Sequence, residues 1–129
     1  MRRFTAYIFD LDGVLCHTDK FHFAAWAALA KKLDFPFDAS VNDRLRGVSR
    51  MESLDIVLGE KKDAFTAEQK KSFADEKNVI YRGYLQTMTP ADLDEDVRST
   101  LLKLRADGHK LAVGSSSKNA PLILKRIGL

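Results

Sequence analysis

Hydrophobic positions along the chain fall into two kinds of run. Two runs are short and unbroken, within Ala6-Tyr7-Ile8-Phe9 and Lys110-Leu111-Ala112-Val113-Gly114, while the others recur at helical period. Short apolar runs with β-branched and aromatic members predict buried strands, because such side chains fit a pleated surface covered on both faces. From Phe21 to Leu33 the apolar stripe runs through His22, Trp26, Leu29 or Ala30, and Leu33, with five alanines adding helix propensity. Thr18 or Asp19 is placed to cap this helix through a side-chain oxygen. Phe35-Pro36-Phe37 breaks it, since proline disfavours helical geometry in the residue before it.

Capping signals then mark three more helices. One covers Asp38 to Leu45 and stops near Gly47. The next opens at Ser49 with Glu52 at capping-box spacing and ends near Gly59. The third opens at Thr66 with Gln69 in the same relation and runs to about Thr87. Beyond the connector Pro90-Ala91-Asp92-Leu93, a helix containing Leu101, Leu102, Leu104 and Arg105 stops at Asp107-Gly108, and a last one covers Ala120 to Ile127. The order strand, helical insert, helix, strand, helix predicts an α/β fold. A Rossmann-like parallel-sheet core would come from residues 1–15 and 88–129, with an inserted all-helical cap domain over 16–87. Two clear strands make an incomplete sheet, which leaves a free edge and room for self-association.

Composition narrows the class. The chain has 129 residues, 45% hydrophobic and 30% charged, which suits an ordinary folded domain. Its net charge of +3 arises from 21 basic and 18 acidic residues that are interleaved rather than blocked. Nothing in that balance calls for nucleic acid; small anionic substrates are enough to explain it. Cys16 is the single cysteine, so an internal disulfide is excluded and a reducing compartment is expected. Met1-Arg2-Arg3 has the charge of a signal n-region, but Asp10 interrupts the apolar run too early. No segment approaches membrane-spanning length. The expectation is a cytoplasmic protein with no membrane partner.

The candidate chemistry sits where the first strand ends. In open α/β sheets ligands bind just outside the carboxyl ends of strands. Asp10 and Asp12 have a spacing that can bring both carboxylates to one mouth, and Gly13 frees the backbone to turn. A plain surface turn is the alternative, because Asp and Gly favour turns for backbone reasons. A calcium loop also begins Asp-x-Asp, but Gly13 falls too early and the closing Glu is missing.

Phe9-Asp10-Leu11-Asp12-Gly13-Val14-Leu15 resembles the first motif of the haloacid dehalogenase-like phosphotransferases. That resemblance implies Asp10 as nucleophile, forming an aspartyl phosphate, and Asp12 as general acid and base. It also implies Mg²⁺ held by Asp10 and by the backbone carbonyl of Asp12. The physical logic agrees: a carboxylate attacking a charged phosphate needs a hard cation to offset the repulsion.

Three further stretches are similar to the β-phosphoglucomutase family: His22-Phe23-Ala24-Ala25-Trp26, Leu45 through Leu54, and Ser115-Ser116-Ser117-Lys118-Asn119. The resemblance implies a sugar pocket lined from the cap by His22, Trp26, Val48, Arg50 and Ser53, with Lys77 nearby, and counts Gly47 and Ser116 among the substrate-binding residues. It implies that Arg50, Ser117, Lys118 and Asn119 hold the phosphate not being transferred, that Ser115 contacts the transferring one, and that Thr18 lies at the cap hinge. The implied reaction interconverts β-D-glucose 1-phosphate and glucose 6-phosphate through glucose 1,6-bisphosphate, with hexose phosphates as the partners. Arg50 offers a rigid fork of donors matched to phosphate oxygens, and a strand end opening a helix adds backbone N–H groups. Taken singly, Trp26 and His22 on an apolar helix face suit a core better than a ligand site. His17 departs from the family, which commonly has Asp there. The family's later lysine and acidic motifs have no counterpart before Leu129, so an incomplete metal site and impaired activity are expected. A sugar-phosphate phosphatase and a non-catalytic sugar-phosphate binder are the alternatives.

Overall fold

The computed structural model describes residues 5–129, so the charged Met1-Arg2-Arg3 start lies outside the described residues. Strand β1 (Ala6–Phe9) is followed by α1 (Asp19–Lys32), α2 (Ala39–Asp43), α3 (Arg50–Leu58) and α4 (Ala67–Leu85). Then come α5 (Glu95–Ala106), β2 (Lys110–Val113) and α6 (Ala120–Ile127). The protein is thus α/β, with a two-stranded parallel sheet and an all-helical stretch inserted between its strands. Two 3₁₀ helices join them, Gly59–Ala64 and Pro90–Asp92. The second occupies the expected connector because Thr89 and Asp92 form a reciprocal capping box.

Backbone contacts divide the chain into two compact units. One is the helical unit Lys20–Tyr84; the other joins the described residues up to Asp19 with Leu85–Leu129.

In the helical unit, the expected caps account for the helix starts. Ser49 Oγ accepts from the Glu52 amide at 3.3 Å, and Thr66 and Gln69 bond each other's amides through their side chains. Helix α1 stops before the proline, because Asp34 takes a left-handed conformation (φ 62°) and the Phe35 amide reaches back to the Ala30 carbonyl at 2.8 Å. A short polar residue tolerates that backbone better than most. Trp26, Leu29, Ala30, Leu54, Val57, Leu58 and Ala74 form the unit's core, and Phe35, Phe37, Phe65 and Phe73 pack around it.

The sheet unit corrects one expectation. Both strands were expected to be buried, yet Ile8 is 78% exposed and Val113 37% exposed. Alternate side chains of a strand face opposite sides of the sheet. Tyr7 and Phe9, on one side, are half-buried, whereas Ala6 and Ile8, on the other, are exposed. Helix α5 packs against β2, and α6 against the Pro90–Asp92 turn. Burial in this unit comes from Leu11, Leu15, Cys16, Leu85, Met88, Leu93, Leu101, Ile123 and Ile127, mostly on loops and helices.

Candidate active site

Strand register sets the sheet unit's part of the site. Phe9 pairs with Val113, and the Gly114 amide donates to the Phe9 carbonyl at 2.8 Å. Asp10 therefore follows one strand end directly, and Ser115 follows the neighbouring one after Gly114. After Asp10 the chain tightens around Leu11, which is fully buried and whose carbonyl accepts from the Val14, Leu15 and Cys16 amides. Gly13 takes φ 81° and its amide donates to the Cys16 carbonyl at 2.8 Å, closing the loop. Positive φ is costly for any residue with a Cβ, which is why glycine stands there.

This loop gives the two carboxylates different surroundings. Asp10 is exposed, and its Oδ1 accepts from the Leu11 amide at 2.8 Å. Asp12 is also exposed, and its Oδ1 accepts from the buried Thr18 hydroxyl at 2.6 Å. Thr18, expected at the hinge, thus stands one residue before α1 with its proton committed to Asp12. Cys16 is buried beside them; burial first, then the charges of Asp12 and Asp92, push its thiol up to about 11.

At the other strand end, two serines fold the loop onto itself. Ser115 Oγ accepts from the Ser117 amide at 3.1 Å, and Ser117 Oγ from the Asn119 amide at 3.2 Å. Each hydroxyl keeps its own proton to donate. Ser116 and Lys118 are exposed, and Asn119 is buried where α6 begins.

Asp10, through its carboxylate, and Asp12, through its backbone carbonyl, are the candidate Mg²⁺ ligands. Among the described residues no cluster of three His, Cys, Asp or Glu side chains is present. An exposed carboxylate and a carbonyl oxygen are nevertheless the hard donors that Mg²⁺ takes together with waters and phosphate oxygens. The donor set fits.

The helical unit gathers a second group. Lys77 Nζ lies 2.9 Å from His22 Nδ1, 4.9 Å from the Trp26 ring centroid and 4.7 Å from that of Tyr81. His22 and Tyr81 stack with centroids 4.0 Å apart. Arg50 donates to Asn78 Oδ1 at 3.2 Å, and buried Ser53 donates to the Val48 carbonyl at 3.4 Å. Gly47 is exposed and Val48 half-buried just ahead of α3. Burial, then the Arg50 charge, push the Lys77 amine down to about 7.

Of the candidate residues, the structure groups Asp10, Asp12, Thr18 and Ser115–Asn119 in the sheet unit. His22, Trp26, Arg50, Ser53 and Lys77 belong to the helical unit. Sequence reasoning missed Tyr81 and Asn78. Lys77 and Tyr81 are four apart on α4, as His22 and Trp26 are on α1, so matching helical faces were the available signal.

A fold of this kind, with a strand ending in paired aspartates and a helical insertion before the next parallel strand, defines a class. The family described as haloacid dehalogenase-like hydrolase matches residues 4–129, and the chain belongs to it. Among proteins it resembles, β-phosphoglucomutase of Bacillus subtilis (strain 168) is 40% identical over 126 residues, covering 96% of this chain and 56% of that protein. A phosphorylated carbohydrates phosphatase of Thermotoga maritima is 29% identical over 126 residues, with the same 96% and 56% coverage. The crystal structure of a Clostridium difficile β-phosphoglucomutase superposes with a TM-score of 0.86 at 39% identity, over 98% of this chain and 58% of that one. The chain therefore spans a little over half the length of these relatives.

Proposed function

We propose that this chain carries the nucleophile and the sugar-binding residues of a β-phosphoglucomutase-like isomerase. The reaction interconverts β-D-glucose 1-phosphate and glucose 6-phosphate through glucose 1,6-bisphosphate. The observation that carries this reading is the division between the two carboxylates. Among the described residues, Asp12 is held by a buried hydroxyl, while Asp10 accepts from the amide next to it.

An Asp10 oxygen attacks the phosphorus of the bisphosphate, the phosphorus–oxygen bond to the sugar breaks, and Asp12 gives a proton to the departing sugar oxygen. In the return step Asp12 takes the proton from the other sugar hydroxyl as that oxygen attacks the aspartyl phosphate. Thr18 occupies one oxygen of Asp12, which leaves the second for proton transfer. Ser115 donates its hydroxyl proton to a phosphate oxygen. Asp10 and the Asp12 carbonyl would hold Mg²⁺, which offsets the repulsion between carboxylate and phosphate. In the helical unit Arg50 would bind phosphate and His22, Trp26, Val48, Ser53 and Lys77 the sugar; in the sheet unit Ser117, Lys118 and Asn119 would bind phosphate. Gly47 of the helical unit and Ser116 of the sheet unit would be further substrate-binding residues. Residues 16–87 act as the cap.

A sugar-phosphate phosphatase is the second reading, favoured by the similarity to the Thermotoga maritima phosphatase. There water takes the phosphoryl group from Asp10. The test is turnover of β-D-glucose 1-phosphate with Mg²⁺, with and without a trace of glucose 1,6-bisphosphate, using Asp10→Asn as control. Formation of glucose 6-phosphate that depends on the bisphosphate and on Asp10 supports the mutase. Inorganic phosphate without glucose 6-phosphate supports the phosphatase. Absence of both turnover and hexose phosphate binding overturns both readings.

A further inference from the structure

Lys77 is a lysine buried without an acid. It is 4% exposed, and among the described residues no carboxylate lies within ion-pair distance of Nζ. Its surroundings come from three helices. Helix α1 presents the His22 imidazole and the Trp26 ring, α3 presents the Arg50 guanidinium, and α4 itself contributes the Tyr81 ring. Acids beside it on α4 and on the neighbouring α3 are engaged elsewhere: Asp75 with Lys71, Glu76 with Lys32, and Asp55 with Lys70. Arg50 is itself met by the neutral Asn78 amide.

Buried Lys77 thus shares its surroundings with the half-buried Arg50, and among the described residues no carboxylate pairs with its amine. Aromatic faces favour the charged amine, but burial and a neighbouring guanidinium oppose it. The His22 contact is compatible with either state. A charged Lys77 donates to Nδ1, and a neutral one accepts from a protonated Nδ1, so the 2.9 Å bond survives a change of tautomer.

We propose that Lys77 is a ligand-operated proton switch: it takes up a proton when the phosphate group of a sugar phosphate settles beside Arg50. The proposal rests on the reading of the helical unit as the sugar-phosphate-binding part. A dianion near Arg50 cancels the repulsive field at Lys77 and adds an attractive one, so the charged amine becomes the stable form. Binding is then linked to pH. In the free protein the amine sits at about 7. Affinity is full below that pH and falls above it, by up to about tenfold per pH unit, until the bound-state value is passed. A phosphate monoester loses its second negative charge below about 6, so binding peaks between that pH and neutrality.

The test is an NMR titration of the Lys77 Cε resonance in the 129-residue chain, free and saturated with glucose 6-phosphate. Calorimetric titrations in two buffers of different ionisation enthalpy count the protons taken up. The midpoint is expected to rise by about one unit or more on binding, with net proton uptake above neutral pH. Lys77→Met is expected to abolish the uptake, with Trp26 fluorescence checking its fold; if it does not fold, the unmodified chain decides alone. Binding without movement of the Lys77 midpoint overturns the switch and leaves the sugar-phosphate reading standing. Absence of any response of the helical unit to glucose 6-phosphate overturns that reading, and the switch with it.

Discussion

The Thr18 hydroxyl donates to Asp12 Oδ1 across 2.6 Å, from a side chain that is only 2% exposed. A buried donor on an exposed carboxylate fixes the direction of that carboxylate more than it adds to stability. Thr18→Val is expected to cost about 1 kcal/mol or less in urea denaturation. Under the proposed function, sugar-phosphate turnover should fall by about 10- to 100-fold, since small misplacements of a proton donor are expensive. Thr18→Ser should recover most of the loss. Equal activity in Thr18→Val would show that Asp12 does not depend on this bond.

Gly13 separates backbone strain from crowding. A Cβ built there meets nothing within 4 Å, while φ is 81°. Gly13→Ala should therefore cost about 1–2 kcal/mol from the left-handed backbone alone. A denaturation midpoint equal to that of the unmodified chain would mean that the loop reshapes at no cost.

Two positions three residues apart, one on the first strand and one on the loop after it, should behave oppositely. Ile8 is 78% exposed and Leu11 fully buried. Ile8→Thr is expected to change stability by no more than about 0.5 kcal/mol. Leu11→Ala should lose about 2–5 kcal/mol through the cavity it leaves. If the exposed face of β1 drives self-association, Ile8→Lys should reduce it in sedimentation experiments.

Trp26 is the chain's one tryptophan and lies buried in the helical unit, so its fluorescence reports that unit separately. Leu54→Ala, at a fully buried position of the same core, should lower the Trp26 unfolding midpoint by an amount equivalent to about 2–5 kcal/mol. An unchanged Trp26 transition would contradict the packing described for this unit.

Cys16 sets an alkaline limit. Its thiol is raised from 9.0 to about 11 in the folded protein. A group raised on folding contributes stability that is fully present below its unfolded value and is lost as pH climbs through its folded value. Stability should accordingly decline between about 9 and 11, and Cys16→Ala should flatten that decline. Labelling by a thiol reagent should stay slow at neutral pH, because the thiolate is the reactive form.

Local chemistry made much of the chain legible without its structure. Helix starts at Ser49 and Thr66, the strand ending at Asp10 and the turn at Gly13 are all decided within a few residues, by caps, backbone freedom and side-chain alternation. The motif at Asp10 and Asp12 was visible for the same reason, since its chemistry is written in adjacent positions. Burial was different. Ile8 carries every mark of a core residue, yet whether a strand face is covered depends on what packs over it from far along the chain. The contacts Lys77–His22, Arg50–Asn78 and Thr18–Asp12 likewise join positions whose distance only packing can set. Local free energies set the elements and the chemical groups they carry, which is why both could be read from neighbouring residues. Which acid is held by a buried hydroxyl, which lysine is buried beside a guanidinium and which strand face stays exposed depend on packing, because desolvation and charge coupling act through space.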